Sequence, residues 1–240
     1  MGKPDLTVGR NERTRNGALS AHVIQQIRSK LLGRGFVLLP SDTCYSLGTI
    51  AADDSAHDTI NSILNRKRAP ISLAFPSYLE VQEFVEMDPV TSLLLERFCP
   101  GPITVVCKAT DRLPSKFLTH TIASERRTIG VRIPDSIVER DIAACTRYPL
   151  TTVAIRDPKS NEAVHDFGKA VQIVTDGIAK FGSAGWLAVE GGDFYPRHST
   201  VVEAVGGTER VKLLREGAIP FEDIMQAAKG IPGLMMEGWG

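Results

Sequence analysis

Hydrophobic and polar positions switch between two periods along the chain, and the switch points mark out its elements. Val23, Ile24, Ile27 and Leu31 recur at helical spacing, with Ser20 placed to cap that helix and Gly33 and Gly35 to end it. The run FVLL predicts a strand and GTIAA a second one. A helix carrying Ile60, Ile63 and Leu64 starts at Asp54 or Ser55 and runs into Arg66, Lys67 and Arg68. ISLAF predicts a strand, and Ser77 with Glu80 forms a capping-box pattern opening a helix over SYLEVQEFVE. Asp88 and Pro89 open another helix, PVTSLLLERF, which ends at Pro100. ITVVCKA, TIGVRI, LTTVAI, WLAVE, STVVEAV and RVKLL are rich in β-branched residues and predict strands, with DSIVERDIAAC and FGKAVQIVTDGIAKFG as helices between some of them. The fold class is α/β with a mixed sheet. Residues 17–229 are expected to form a single domain, flanked by a flexible arm over 1–16 and a tail over 230–240, both set apart by Gly, Pro and charge content.

The stretch LPSDTCYSLG after FVLL holds more chemistry than a turn needs. Asp42, Thr43, Cys44 and Tyr45 place a carboxylate, a hydroxyl, a thiol and a phenol at a strand end, where open α/β sheets carry their ligands. Arg132 inside GVRIPD is a second such point, because a guanidinium flanked by Val131 and Ile133 must meet a carboxylate, a phosphate or solvent. The turn PGPIT, TTVAIRD, HSTVV and LREG stand at similar places.

Composition narrows the chemistry. The 28 basic and 28 acidic residues balance, so an anionic partner must be met by a local patch. No apolar stretch approaches the roughly 20 residues that span a bilayer, and the first residues lack the apolar segment of a signal peptide, so a cytosolic protein is expected. The cysteines, Cys44, Cys99, Cys107 and Cys145, show no C-x-x-C pair and read as free thiols. The histidines are scattered, and no metal site built from side chains is expected. Neither a G-x-x-x-x-G-K-[ST] loop nor a dinucleotide fingerprint is present. Cys44 has no histidine partner suggested by the sequence, which argues against a cysteine nucleophile.

In order, PSDTCYSLG, Arg66-Lys67-Arg68, PGPIT, GVRIP, TTVAI, STVV and LREG make the chain resemble the YrdC/YciO family from about Gly35 to Gly217. The resemblance implies a twisted mixed β-sheet with flanking helices around a concave basic cleft. It also implies threonylcarbamoyl-adenylate synthesis for transfer-RNA modification: L-threonine and bicarbonate give a carbamate whose oxygen attacks the α-phosphate of ATP, and pyrophosphate leaves. Such a reaction asks for positioning and charge neutralisation and needs no covalent nucleophile. On this basis Arg66, Lys67, Arg68, Thr104, Arg132, Thr152, Arg156, Ser199 and Arg215 are the expected nucleotide and phosphate ligands. Asp42, Thr43, Tyr45 and Thr200 are expected around the amino acid, with Mg2+ carried on ATP. Possible partners are RNA or tRNA-modification proteins, and no membrane.

The chain departs from the synthase pattern in three places. Arg66 and Arg68 replace Lys-x-Arg, a second lysine is lacking in RAPISLAF, and Val153 and Ile155 are aligned with a Ser-x-Asn pair. These features are closer to the YciO branch. Two alternatives therefore stand beside the synthase. One is a nucleotide- or RNA-binding module, with Arg10, Arg13, Arg15, Arg126 and Arg127 as phosphate contacts. The other is a carbamoyl-adenylate enzyme using another amine or carbamoyl phosphate.

Overall fold

The structure is a computed structural model that describes residues 2–14, 16–66, 70–121, 124–181, 185–204, 210–229, 231 and 235–238. Its first helix, α1 (Ala21–Leu32), is capped by the Ser20 hydroxyl, which accepts from Val23 N. The left-handed residue that reverses the chain after it is Arg34, between the two glycines.

β2 (Phe36–Pro40) pairs antiparallel with β3 (Tyr45–Gly48), a strand built from the polar stretch itself. The strand expected at GTIAA lies upstream of its predicted place, and beyond Gly48 only Ile50 forms an isolated bridge, to Leu150. Hydroxyl and phenol groups at Ser46 and Tyr45 concealed a strand in which every residue is buried.

The next helices follow their caps. α2 (Asp54–Ile63) is capped by Asp53, and α4 (Pro89–Phe98) by Asp88, whose Oδ1 accepts from Val90 N and Thr91 N at 2.9 and 2.8 Å. Between them come β4 (Ser72–Ala74) and a short α3 (Tyr78–Val81). The longer helix predicted over SYLEVQEFVE stops early because Val85 bridges to Ala109 and Glu86 N donates to Lys108 O. β5 (Ile103–Lys108), β6 (Thr119–Thr121), β7 (Ser124–Arg132), α5 (Ile137–Ala144), β8 (Leu150–Ala154), α6 (Phe167–Phe181), β9 (Trp186–Val189), β10 (Thr200–Glu203) and β11 (Arg210–Arg215) complete most of the set.

The sequence pattern gave no warning of four elements. β1 (Leu6–Val8) pairs in parallel with β9, β6 pairs with β7, β12 (Met235–Glu237) pairs with β11, and α7 (Phe221–Ala228) buries Phe221, Ile224 and Ala228 at helical spacing.

Among the described residues twelve strands form one mixed sheet in the order β1-β9-β2-β3-β8-β4-β7-β5-β10-β11-β12, with β6 beside β7. Where α1 and α5 cover one face and α2 and α6 the other, β2 shows the two-residue period of a strand. Phe36 and Leu38 join the larger core, Val37 and Leu39 the smaller. The helices leave uncovered a concavity over β4, β5, β7 and β8, where the motif-bearing ends of these strands meet the segment leading into β10.

Candidate functional site

The concavity holds a cavity of about 190 Å³ whose lining includes Thr43, Arg66, Ser72, Thr104, Arg132, Thr152, Arg156, His198, Ser199 and Arg215. Residues from seven separate motifs meet here. The sheet register explains it: Ala74 is aligned with Arg132, Ser72 with Thr152, and Ile103 with Thr200, so the ends of β4, β5, β7, β8 and β10 come level.

Arg132 is the deepest cation. Its Nη2 donates to Asp42 Oδ1, and Asp42 Oδ2 accepts from Asp135 N at 3.0 Å. Both partners are buried. Burial alone would lower the guanidinium, but Asp42 and Glu139 outweigh it and hold Arg132 above the ordinary arginine value. Arg215 donates through Nε and Nη2 to Ser199 O and through Nη2 to Ser199 Oγ at 3.0 Å, and that hydroxyl lies 3.1 Å from Thr104 Oγ1. Gly217 of LREG is required by close approach, since a Cβ there would collide with the His198 carbonyl. Arg66 reaches Pro70 O at 3.0 Å and Arg156 reaches Asn161 O at 2.7 Å.

The cavity is lined by four arginines and a histidine. No carboxylate occurs among its described lining residues. Arg66 is lowered by burial and then by Arg156; Arg215 by burial, Arg156 and Arg132; His198 by burial, Arg156 and Arg215. Three buried polar atoms around it, Arg66 Nη1, Arg132 Nε and Thr152 Oγ1, have no hydrogen-bond partner. Buried polar groups are almost always satisfied, and the two arginine nitrogens are donors only. A second cavity of about 420 Å³ adjoins through Arg66, Ala154 and Arg156 and has a more apolar wall, including Ile63, Leu64, Ile173 and Phe181.

Not every expected ligand residue borders the cleft. Asp42 stands behind it as the partner of Arg132. Tyr45 is packed against Phe167 and Phe194 at 5.6 and 5.3 Å between ring centroids, and its hydroxyl accepts from Gly191 N at 3.0 Å. The Thr200 hydroxyl is committed to Ile219 O, Gly217 N and Ile219 N. Lys67 and Arg68 lie outside the described residues, as does Arg15. The placement of Val153 and Ile155 as the cleft pair is revised: both join the core, 3 % and 0 % exposed, and Ile155 does not border the cavity, whereas Thr152, Ala154 and Arg156 line it, with Val153 between them also at its wall. A strand presents alternate residues to one face, so a slip of one position exchanged the faces. Sequence reasoning also missed Ser72, His198 and the fully buried Glu139.

The thiols read as packing groups. Cys44 is buried and its thiol is pushed up to about 11 by desolvation. The described residues include no group of three or more His, Cys, Asp or Glu side chains able to hold a metal, and no helix among them is long and apolar enough to cross a membrane.

Residues 30–217 match the model of the Sua5/YciO/YrdC family, described as "Telomere recombination". A mouse protein named threonylcarbamoyl-AMP synthase is 27 % identical over 142 residues, which cover 58 % of this chain and 49 % of that protein. Among solved structures, P. abyssi Sua5 complexed with L-threonine superposes with a TM-score of 0.74 at 20 % identity, covering 96 % of this chain and 62 % of Sua5. E. coli YciO superposes at 0.73 and 20 % identity, covering 91 % of this chain and 98 % of YciO. The chain thus spans about half of the mouse relative and under two thirds of Sua5, but nearly all of YciO.

Proposed function

The chain belongs to the Sua5/YciO/YrdC family, and from that premise we propose that it makes threonylcarbamoyl-AMP from ATP, bicarbonate and L-threonine. The observation that carries this reading is the carboxylate-free cleft in which Arg66, Arg132, Arg156 and Arg215 converge with unsatisfied buried donors. Three of the four are partly exposed to the cavity, and their forked guanidinium groups match phosphate and carboxylate oxygens.

In this mechanism the protein supplies no covalent nucleophile. The carbamate formed from threonine and bicarbonate attacks the α-phosphorus of ATP through oxygen, the bond to the bridging oxygen breaks, and pyrophosphate departs. Charge builds on the phosphoryl oxygens and on the leaving pyrophosphate. Arg132 and Arg215, fixed by Asp42 and Ser199, are preorganised to meet it, while Arg66 and Arg156 span both cavities. Thr43, Thr104, Thr152 and Ser199 offer hydroxyls to the amino acid and phosphates, and the larger cavity takes the nucleoside. Mg2+ enters bound to the triphosphate as part of the substrate. The protein works in the cytosol in this reading, and the adenylate passes to proteins that modify transfer RNA.

A second reading rests on Ala154. With Ala154 at the cleft in the place of a polar donor, the site holds nucleotide or RNA phosphates but turns over weakly or not at all. One experiment separates the two: purified protein with ATP, Mg2+, bicarbonate and labelled threonine. Pyrophosphate release that requires bicarbonate and threonine together supports the synthase. ATP binding without such dependence supports the module, whose RNA affinity then falls with added salt. No ATP binding at millimolar concentration overturns both.

A further inference from the structure

Behind the cleft lies a carboxyl group that the reaction as written does not use. Glu139, in the first turn of α5, is fully buried, and neither of its oxygens makes a hydrogen bond of normal geometry, the Ser41 and Thr152 hydroxyls being the donors that come near it. The groups that act on it are Arg132 from β7, Asp42 and Ser41 from the turn after β2, Thr152 from β8, and the Cys44 thiol. The remaining elements packed around α5 contribute apolar side chains: Val23, Ile27 and Leu31 of α1, Val37 and Leu39 of β2, and Ala74 of β4. On α5 itself Arg140 turns away to Pro134 O and Asp135, and Asp141 accepts from Leu19 N.

One buried cation, paired directly with Asp42, is therefore also the favourable charge acting on a second buried carboxyl group. Asp42 occupies Arg132 Nη2, and Arg132 Nε is left unpartnered. With Asp42 and Glu139 both ionised, this trio carries a net charge of −1 away from water, and an anion arriving at Arg132 meets repulsion. With Glu139 protonated the trio is neutral, and the guanidinium can serve Asp42 and the anion together. Interactions between buried charges in a poorly polarisable interior are large enough to decide a protonation state.

We propose that Glu139 is a positioning residue that takes up a proton when a phosphate or carbamate group docks against Arg132, so that substrate binding and protonation of Glu139 are coupled. The proposal rests on the reading of the cleft as an ATP site. The environment agrees in direction: burial raises the Glu139 carboxyl, Arg132 opposes, and Asp42 raises it further. A docked anion adds another negative charge and draws on Arg132. Because binding favours the protonated form, affinity is full below the Glu139 pKa of the free protein. It falls above that value by up to about tenfold per pH unit for one proton.

The test is calorimetry of ATP with Mg2+ between pH 6 and 9 on wild type and Glu139→Gln, repeated at pH 7.5 in two buffers of different ionisation enthalpy. Wild type is expected to take up a larger fraction of a proton than the glutamine variant, and to weaken with pH. Glu139→Gln is expected to bind at pH 9 about as tightly as wild type at pH 6. Equal proton uptake and parallel pH profiles overturn the coupling while leaving the ATP site intact. If the variant does not fold, the wild-type protein decides alone, since no proton uptake and a flat profile at constant ATP ionisation overturn it. Failure of wild type to bind ATP overturns the cleft reading itself, and the coupling with it.

Discussion

Removing Asp42 tests how the cleft's deepest cation is held. In Asp42→Ala, Arg132 Nη2 loses its carboxylate, Asp135 N loses its acceptor, and Ser41 Oγ loses a 3.2 Å contact, all in a region where Asp42 is 0 % and Arg132 6 % exposed. Deleting one partner of a buried pair leaves an uncompensated charge and costs about 3–5 kcal/mol. For a chain of this size each kcal/mol moves Tm by about 2–4 °C, so a fall of roughly 6–20 °C is expected.

Glu139 should blunt the loss, because it remains near Arg132 and can stay ionised once Asp42 is gone; the lower end of that range is therefore favoured. Differential scanning calorimetry at pH 7 on Asp42→Ala, Arg132→Leu and the double variant measures it. The double variant should melt higher than the two single losses predict, since it removes both charges, and a coupling of about 2 kcal/mol is expected. The Lys108–Glu86 pair is the control. Both partners are well exposed, and Lys108→Ala should change stability by less than about 1 kcal/mol. If Asp42→Ala melts within 3 °C of wild type, or the cycle is additive, Asp42 does not hold Arg132 and the charge argument for the cleft fails.

Other changes separate ligand contacts from scaffold. Arg66→Ala should each-site weaken ATP binding about 10–100-fold by calorimetry, for one lost charged hydrogen bond of about 1.5–3 kcal/mol, with little change in Tm. Tyr45→Phe removes only the acceptor for Gly191 N, so it should cost about 1–3 kcal/mol in denaturant unfolding and leave ATP affinity unchanged. Ala154→Asn restores a polar group on the cleft side and should tighten ATP several-fold, whereas Val153→Ser with Ile155→Asn should only destabilise the core, as paired melting and binding measurements show. The Cys44 thiol, at about 11, is neutral at pH 8 and buried; mass spectrometry after iodoacetamide treatment of the native protein should find it unmodified.

What the sequence made legible was the set of elements whose signals are local. The Asp88-Pro89 and Ser20 caps fall where helices begin, because capping chemistry is decided within a few residues. Motif order picked out residues that the structure brings around one cavity, and Arg132 announced itself as a charge in an apolar strand. The register of TTVAI was not legible. Thr151, Thr152, Val153 and Ile155 are all buried, so the strand lacks the exposed face whose polar residues would have fixed which side Val153 takes. Tyr45 and Thr200 stand off the cavity for a related reason: a hydroxyl that satisfies backbone groups of a distant segment, Gly191 or Gly217, looks in sequence like one that awaits a ligand.

Glu139 shows the same limit from the opposite side. In DSIVERDIAAC it reads as an acidic residue of a first helical turn, favourable there and normally solvated. It becomes buried because Val138, Ile142 and Ala143 draw α5 onto β2 and β4. A strand-embedded arginine nonetheless demands buried counter-charge, and the demand is a sequence-level signal even when its answer is not. Equal counts of acid and base therefore conceal a separation: guanidinium groups face the cleft, and the carboxyl groups that steady the deepest of them stand behind it. Under the proposed function, that one-sided arrangement would focus positive potential on the cavity and let a protein with no net charge receive a polyanion.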